Sequence, residues 1–265
     1  MNAGSLLALE AGLVFALVTA LWAVSVALRD TSIVDIFWGS GFVVVAWVGF
    51  ALADGSYDRR LLLAALVTAW GLRLTLHLAR RNLGKGEDYR YAAMRRRHGD
   101  RWLLRSLAVV FWLQGILMWV VSLPVQVAMT DPTPAGLGVL DWVGAGVWAV
   151  GLTFEAVGDQ QLARFKVDPA NRGKVMDSGL WRYTRHPNYF GDFCVWWGIW
   201  LVALETGSAW WTAVGPAVMS VLLIRVSGAA LLERSLTKRR EGYADYVART
   251  SAFFPWPPRG GRAPE

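Results

Sequence analysis

The sequence predicts an all-α, polytopic membrane protein of seven transmembrane helices, with its N-terminus out and its C-terminus cytoplasmic. Three observations lead there. Of 265 residues, 55% are hydrophobic and 16 are Trp, and the mean hydropathy is +0.35, which is too apolar for a soluble domain. Seven apolar runs, at roughly 6–28, 33–53, 61–81, 104–129, 137–158, 189–206 and 209–232, each approach the ~20 residues a bilayer requires. Most of the 27 Lys and Arg fall in alternate connections, which the positive-inside rule reads as cytoplasmic.

The first run has no basic leader region and no small-residue cleavage site, so it reads as a retained span. Between the third and fourth runs lie Arg80, Arg81, Lys85, Arg90, Arg95, Arg96, Arg97, Arg101 and Arg105. Pro124 in the fourth predicts a kink. Gly138, Gly144, Gly146 and Gly151 in the fifth predict close helix packing. Arg164, Lys166, Arg172, Lys174, Arg182 and Arg185 follow it, and Arg234, Lys238, Arg239, Arg240, Arg249, Arg259 and Arg262 lie beyond the seventh. The opposite connections carry Asp131, Asp141 and Glu205, with Arg59 and Arg60 as their cations. One span more or fewer would scatter these charges. The tail from Pro255 reads as frayed. Topology thus explains the net charge of +7 without nucleic acid, and a single Cys194 excludes an intrachain disulfide or a Cys-based metal site.

Chemistry concentrates in the run from Asp177 to Asp192, DSGLWRYTRHPNYFGD. Arg182, Tyr183, Arg185, His186, Asn188, Tyr189 and Asp192 gather at the mouth of an apolar span, where polar groups are costly unless they hold a ligand. Pro187 suits the first turn of a helix. Asn188, Tyr189 and Asp192 then sit on the helix opening, at the positive end of its dipole. An interfacial anchor would explain the Arg, Trp and Tyr, but not an Asn and an Asp beyond a His-Pro pair.

Further ionisable groups lie within or beside apolar runs: Asp35, Arg73, His77, Glu155, Asp159, Arg225 and Glu233. Internal pairing, such as Arg225 with Glu233, is the plain alternative to a site. Glu155 and Asp159 are one turn apart and repel unless cations or donors meet both; Lys166, Arg172 and Lys174 follow directly. In RRNLGKGEDYRY, a Gly-bounded turn brings Glu87, Asp88, Arg90 and Tyr91, suited to wrapping a nucleotide or to solvation. Together these pieces offer cations for phosphates, carboxylates for ribose hydroxyls and rings for stacking. No Rossmann fingerprint or Walker loop is present, His77, His98 and His186 lack metal-ligand spacing, and no GxSxG elbow occurs. No metal is expected.

The run LWRYTRHPNYFGD, with LLE, GYADY and SAFFPW downstream, resembles the steroid 5α-reductase and sterol reductase superfamily over about residues 30–257. Its RHPxY core is shared with isoprenylcysteine carboxyl methyltransferases. The resemblance implies a single membrane domain over 1–265, with substrate-side spans in 1–130 and cofactor-binding spans and loops in 137–257. It further implies NADPH, with Asp159, Lys166, Lys174, Asn188 and Asp192 at cofactor-contacting positions. Glu155 stands where the steroid reductases carry Asn. Arg73 matches a cofactor-binding Arg, and Asp88, Arg90 and Tyr91 occupy a further nucleotide loop. Arg172, Arg185, His186 and Tyr189 join the cofactor set from the residue pattern. The family's catalytic Glu and Tyr fall on Asp35 and Trp70. An indole donates a hydrogen bond but supplies no proton, so a protonated Asp35 in a dry site is the expected donor.

The implied reaction is NADPH-dependent hydride transfer to the conjugated double bond of a steroid-like or other lipid enone. An S-adenosylmethionine-dependent membrane methyltransferase is the alternative. The substrate enters from the membrane lipids, and the Trp residues at 38, 47, 70, 112, 119, 196 and 197 offer flat walls for it. The enzyme belongs in a bacterial inner membrane, its cofactor site facing the cytoplasm.

Overall fold

The computed structural model describes residues 1–226 and 242–259. They form α1 (Ala3–Leu28), α2 (Ile33–Leu52), α3 (Tyr57–Asn82), α4 (Tyr89–His98), α5 (residues 102–121), α6 (Leu123–Ala128), α7 (Val139–Val167), α8 (Pro187–Leu204), α9 (Trp210–Arg225) and α10 (Tyr243–Arg249). No strand occurs among the described residues; Thr184 and Ser251 form one isolated bridge. Five helical runs are long and apolar enough to cross a membrane: α1, α2, α3, Tyr89–Val121 and α7. The chain is therefore an all-helical protein with the make-up of an integral membrane protein. Helix α8 has the length, but its first turn is polar. The expected seventh span at 209–232 runs beyond the described residues, as do Glu233, the LLE segment, and Arg234, Lys238, Arg239, Arg240 and Arg262 of the tail. The expected pairing of Arg225 with Glu233 lies outside them too.

Two connections differ from expectation. Arg90 to Arg97 lie on helix α4, which Gly99 ends at φ +52°, and α7 runs on to Val167 so that Arg164 and Lys166 are helical. Both stretches are polar, yet neither contains a proline, and α4 is started by Asp88, whose side chain accepts the Arg90 N–H at 2.9 Å. Capping by Asp88 starts α4 where charge alone suggested loop.

The chain divides into two compact units, Met1–Val143 with Ile199–Gly215, and Gly144–Gly198 with Pro216–Glu265. In the first, α2 and α3 pair so closely that a Cβ at Gly71 would lie 2.5 Å from the Gly39 carbonyl oxygen. Helices α1 and α5 are joined by indoles. Trp22 donates to Ser106 Oγ at 3.2 Å, Trp112 to Thr19 Oγ1 at 3.1 Å and Trp119 to the Leu7 carbonyl at 3.0 Å. An indole N–H in hydrocarbon has to find an acceptor on a neighbouring helix. Most of the expected Trp walls are thus packing residues. Trp47 bonds Thr68 Oγ1, and Trp70 is fully buried.

The expected kink occurs. The helix breaks at Ser122 and restarts at Leu123, with Pro124 in its first turn, and Gln126 Nε2 takes up the Trp119 carbonyl at 2.9 Å. Three of the connections are hydrogen-bonded to one another. Gly55 N–H bonds Met129, Ser208 bonds Asp131, and Leu140 N–H bonds Glu205. Here Arg59 and Asp141, both fully buried, form a two-pronged pair at 3.0 Å, and Arg59 also donates to the carbonyls of Pro134 and Gly136.

In the second unit, Gly151 faces Gly191 and Gly198 faces Gly144 and Trp148, at backbone distances that leave no room for a Cβ. Gly146 has nothing within 4 Å. Small residues at 144 and 151 thus let α7 and α8 touch, as their spacing predicts.

Breaking the Arg59–Asp141 pair from one side leaves a buried, unpaired charge. Arg59→Met should destabilise the protein by about 3–5 kcal/mol, read as a lowered unfolding midpoint in detergent. Arg59→Met with Asp141→Leu should recover most of that loss; a single variant as stable as wild type would show the pair to be dispensable.

Candidate functional site

Each unit carries a polar cluster built from predicted residues. In the first, Asp35 lies in the opening turn of α2. Its carboxylate accepts from the Tyr91 hydroxyl at 2.8 Å and from Arg90 Nη2 at 2.8 Å. Arg90 Nε also bonds Asp88 at 2.9 Å, so one guanidinium bridges two carboxylates. Tyr91 is 7% exposed, beneath Arg90, whose Cζ lies 5.5 Å from the ring centre. The turn before α4 is pinned to the start of α2. Arg95 makes a two-pronged bond to Glu87 at 2.7 and 3.0 Å, Glu87 accepts the Thr31 N–H at 2.9 Å, and Asp88 N–H bonds Ser32.

Electrostatics follow from this geometry. Desolvation pushes the Glu87 carboxyl up, but hydrogen bonds from Arg95 and Thr31 outweigh it and hold the group below its ordinary value. Asp88 is likewise lowered: desolvation opposes, and the bonds from the Arg90 side chain and backbone prevail. Asp35 is bonded to a guanidinium and accepts a hydrogen bond from the Tyr91 hydroxyl. It stands as an acceptor here, where the sequence led us to expect a donor.

Trp70 is not in this cluster's hydrogen bonds. It is fully buried, its ring 5.5 Å from Phe42 in an edge contact. Phe42 lies two turns along α2 from Asp35, roughly 10 Å at 1.5 Å per residue, so Trp70 packs the α2–α3 core. Arg73 is half-buried on α3.

In the second unit, Glu155 and Asp159 are 4% and 8% exposed on α7. Helix α8 begins at Pro187, as the sequence suggests, and its Asn188 Nδ2 donates to Asp159 Oδ1 at 3.1 Å while its Oδ1 accepts the Tyr189 N–H at 3.1 Å. His186, buried, stacks on Tyr189 with ring centres 5.4 Å apart and planes 8° from parallel. Asp192 follows one turn on, half-buried. Lys166, Arg172 and Lys174 are exposed. Arg185 turns to the C-terminal segment, donating to the carbonyls of Val247 and Thr250. Among the described residues no group of three His, Cys, Asp or Glu could hold a metal.

Several contributors were not singled out from sequence. Trp181 donates to the Gly158 carbonyl at 3.0 Å and its own carbonyl accepts from Tyr246 at 2.6 Å, setting the 177–186 loop against α7. Thr184 Oγ1 donates to the Phe253 carbonyl at 2.7 Å. Glu10 on α1 is fully buried with no hydrogen-bond partner on either oxygen; its signal was available, a lone acid inside the first apolar run.

Residues 21–250 match the family described as "Protein of unknown function (DUF1295)". An uncharacterized protein of Schizosaccharomyces pombe is 26% identical over 271 residues, which span 91% of this chain and 77% of that protein. No solved structure matches.

Because Glu87 is lowered in the folded state, its contribution to stability is complete above the ordinary carboxyl value of 4.5 and is lost as pH falls below it. Thermal midpoints between pH 7 and pH 3 should fall less steeply for Glu87→Gln than for wild type. Parallel curves would show that the Thr31–Glu87–Arg95 clasp does not carry this acid sensitivity.

Proposed function

The chain belongs to the DUF1295 family, and we propose that it is an integral-membrane, NADPH-dependent reductase that delivers hydride to the conjugated double bond of a steroid-like or other lipid enone. The observation that carries this reading is the buried Tyr91 hydroxyl held 2.8 Å from Asp35. Reduction of an enone builds negative charge on the carbonyl oxygen, and that oxygen needs a donor set in advance in a dry place. A phenol supplies both the hydrogen bond and a proton, whereas the indole of Trp70 supplies only the first.

Tyr91 therefore takes the donor role in this proposal, and Asp35 becomes the group that orients and recharges it. After Tyr91 has given its proton to the product, Asp35 takes a proton from solvent and passes it to the phenolate oxygen. The Tyr91 hydroxyl is then released to turn to the substrate carbonyl. Arg90, bonded to both Asp35 and Asp88, keeps the carboxylate in place between turnovers.

The second unit's cluster suits a phosphorylated dinucleotide by its donor set. Buried Asp159 and Glu155, with Asn188 bonded to the former, match hydroxyl and amide groups; exposed Lys166, Arg172 and Lys174 match phosphates. Bound NADPH supplies the hydride. His186, Tyr189 and Asp192 lie beside them at the mouth of α8 and join this set. By the positive-inside rule the cofactor side faces the cytoplasm, in a bacterial inner membrane.

NADPH fluorescence and oxidation in detergent, with progesterone-like enones, test the proposal. Tyr91→Phe should lower kcat by about 10²–10³-fold with NADPH affinity unchanged. Asn188→Ala should weaken NADPH binding by about tenfold. Full turnover by Tyr91→Phe would remove the donor assignment. Methyl transfer from S-adenosylmethionine without NADPH oxidation would replace the reductase reading by a methyltransferase.

A further inference from the structure

A cavity of about 300 Å³ opens on the second unit, beside the segment that follows α10. Arg185, Arg249, Arg259 and Trp256 line it, together with residues 247–252. Backbone hydrogen bonds build this wall. The Arg259 N–H donates to the Arg249 carbonyl at 2.9 Å, the Arg185 N–H to Ser251 at 2.9 Å, and the Trp256 N–H to Tyr183 at 3.0 Å. Residues 249 and 259 are thereby drawn onto one rim, ten positions apart in sequence. Arg185 is part of the frame, its Nη1 bonded to the Val247 carbonyl at 2.8 Å. Arg249 and Arg259 are exposed; Arg249 donates to the Asp177 carboxylate in an exposed ion pair, which a phosphate would replace.

The same segment exposes large rings. Phe254 is 57% and Trp256 70% accessible, and Tyr183 beside them 43%. Its level relative to α8 is set by packing. Phe253 and Phe254 lie edge-on against Phe190 and Phe193, in the first two turns of that helix, with ring centres 5.6 to 6.3 Å apart. Helix α8 passes there from a polar first turn into an apolar body. A membrane crossed by α8 would have its headgroup boundary at this level, where guanidinium groups and aromatic rings lie side by side. Aromatic rings favour that boundary, and arginine grips phosphate in planar, two-pronged fashion.

We propose that this cavity binds the phosphate headgroup of an anionic phospholipid, with Arg249 and Arg259 on the phosphate and Phe254 and Trp256 at the adjoining acyl boundary. Nothing in this site depends on the reductase reading. The lipid would hold the C-terminal segment, and through Arg185 and Thr184 the mouth of α8, against the membrane surface. Free phosphate offers the same chemistry without the acyl chains, and the exposed rings favour the lipid.

The test uses the full chain, delipidated in a zwitterionic detergent and titrated with phosphatidylglycerol or phosphatidylcholine, with bound lipid counted by native mass spectrometry. Wild type should prefer phosphatidylglycerol. Arg249→Gln with Arg259→Gln should weaken that binding about 25-fold, fivefold for each charge, and Arg259→Gln alone about fivefold. Equal binding of the two lipids, or unchanged affinity in the single and double Gln variants, would overturn the proposal. So would release of bound phosphatidylglycerol by equimolar inorganic phosphate or NADPH, which would assign the cavity to a soluble phosphate.

Discussion

In hydrocarbon a polar group has no water to fall back on, so each one must be answered by another part of the chain. That constraint organises this protein more than any single contact. The indoles of Trp22, Trp112 and Trp119 become ties between α1 and α5 because their N–H groups need acceptors. Arg59 and Asp141 are tolerated at zero exposure because each fills the other's hydrogen-bonding needs and the Pro134 and Gly136 carbonyls take the remainder. Glycine sets the closest approaches between helices, Gly39 with Gly71 and Gly151 with Gly191.

The same constraint shapes both candidate clusters. Asp35 is answered by a phenol and a guanidinium from one short helix, and Asp159 by an amide from the mouth of another. These are groups that chemistry can use, because a partner that satisfies a carboxylate at rest can be exchanged for a ligand. Glu10 is the contrast, fully buried without a hydrogen-bond partner, and it enters neither cluster. The turn before α4 shows how such a cluster is held. Glu87 and Asp88 clasp Thr31 and Ser32 on one side and Arg95 and Arg90 on the other, so Tyr91 is presented from the first turn of a helix whose entry is pinned.

Much of the candidate chemistry was legible residue by residue. Pro187 and Asn188 were readable as a helix opening because proline at the first turn and a polar side chain behind it have one common use. Tyr91 was legible as a polar aromatic near paired charges, but its partner lies 56 residues away, and no local pattern reports a contact of that range. Trp70 went the other way. A match by position suggested chemistry, while its neighbours Phe42 and Gly71 make its surroundings core. Arg185, which the sequence groups with the 182–192 cluster, braces the C-terminal segment by a bond that no local pattern reports.

By itself the sequence determined that the chain is helical and membrane-embedded, where its proline breaks and glycine contacts fall, and which residues carry charge into apolar surroundings. These follow from composition and short-range order, since hydropathy and helix geometry act over a few turns. Only the tertiary structure decided which of those charges meet. It paired Asp35 with Tyr91 rather than Trp70, gave Asp159 to Asn188, and set Arg249 beside Arg259, because partners in a low-dielectric interior are chosen by which helices pack together, and that packing is settled across the whole chain.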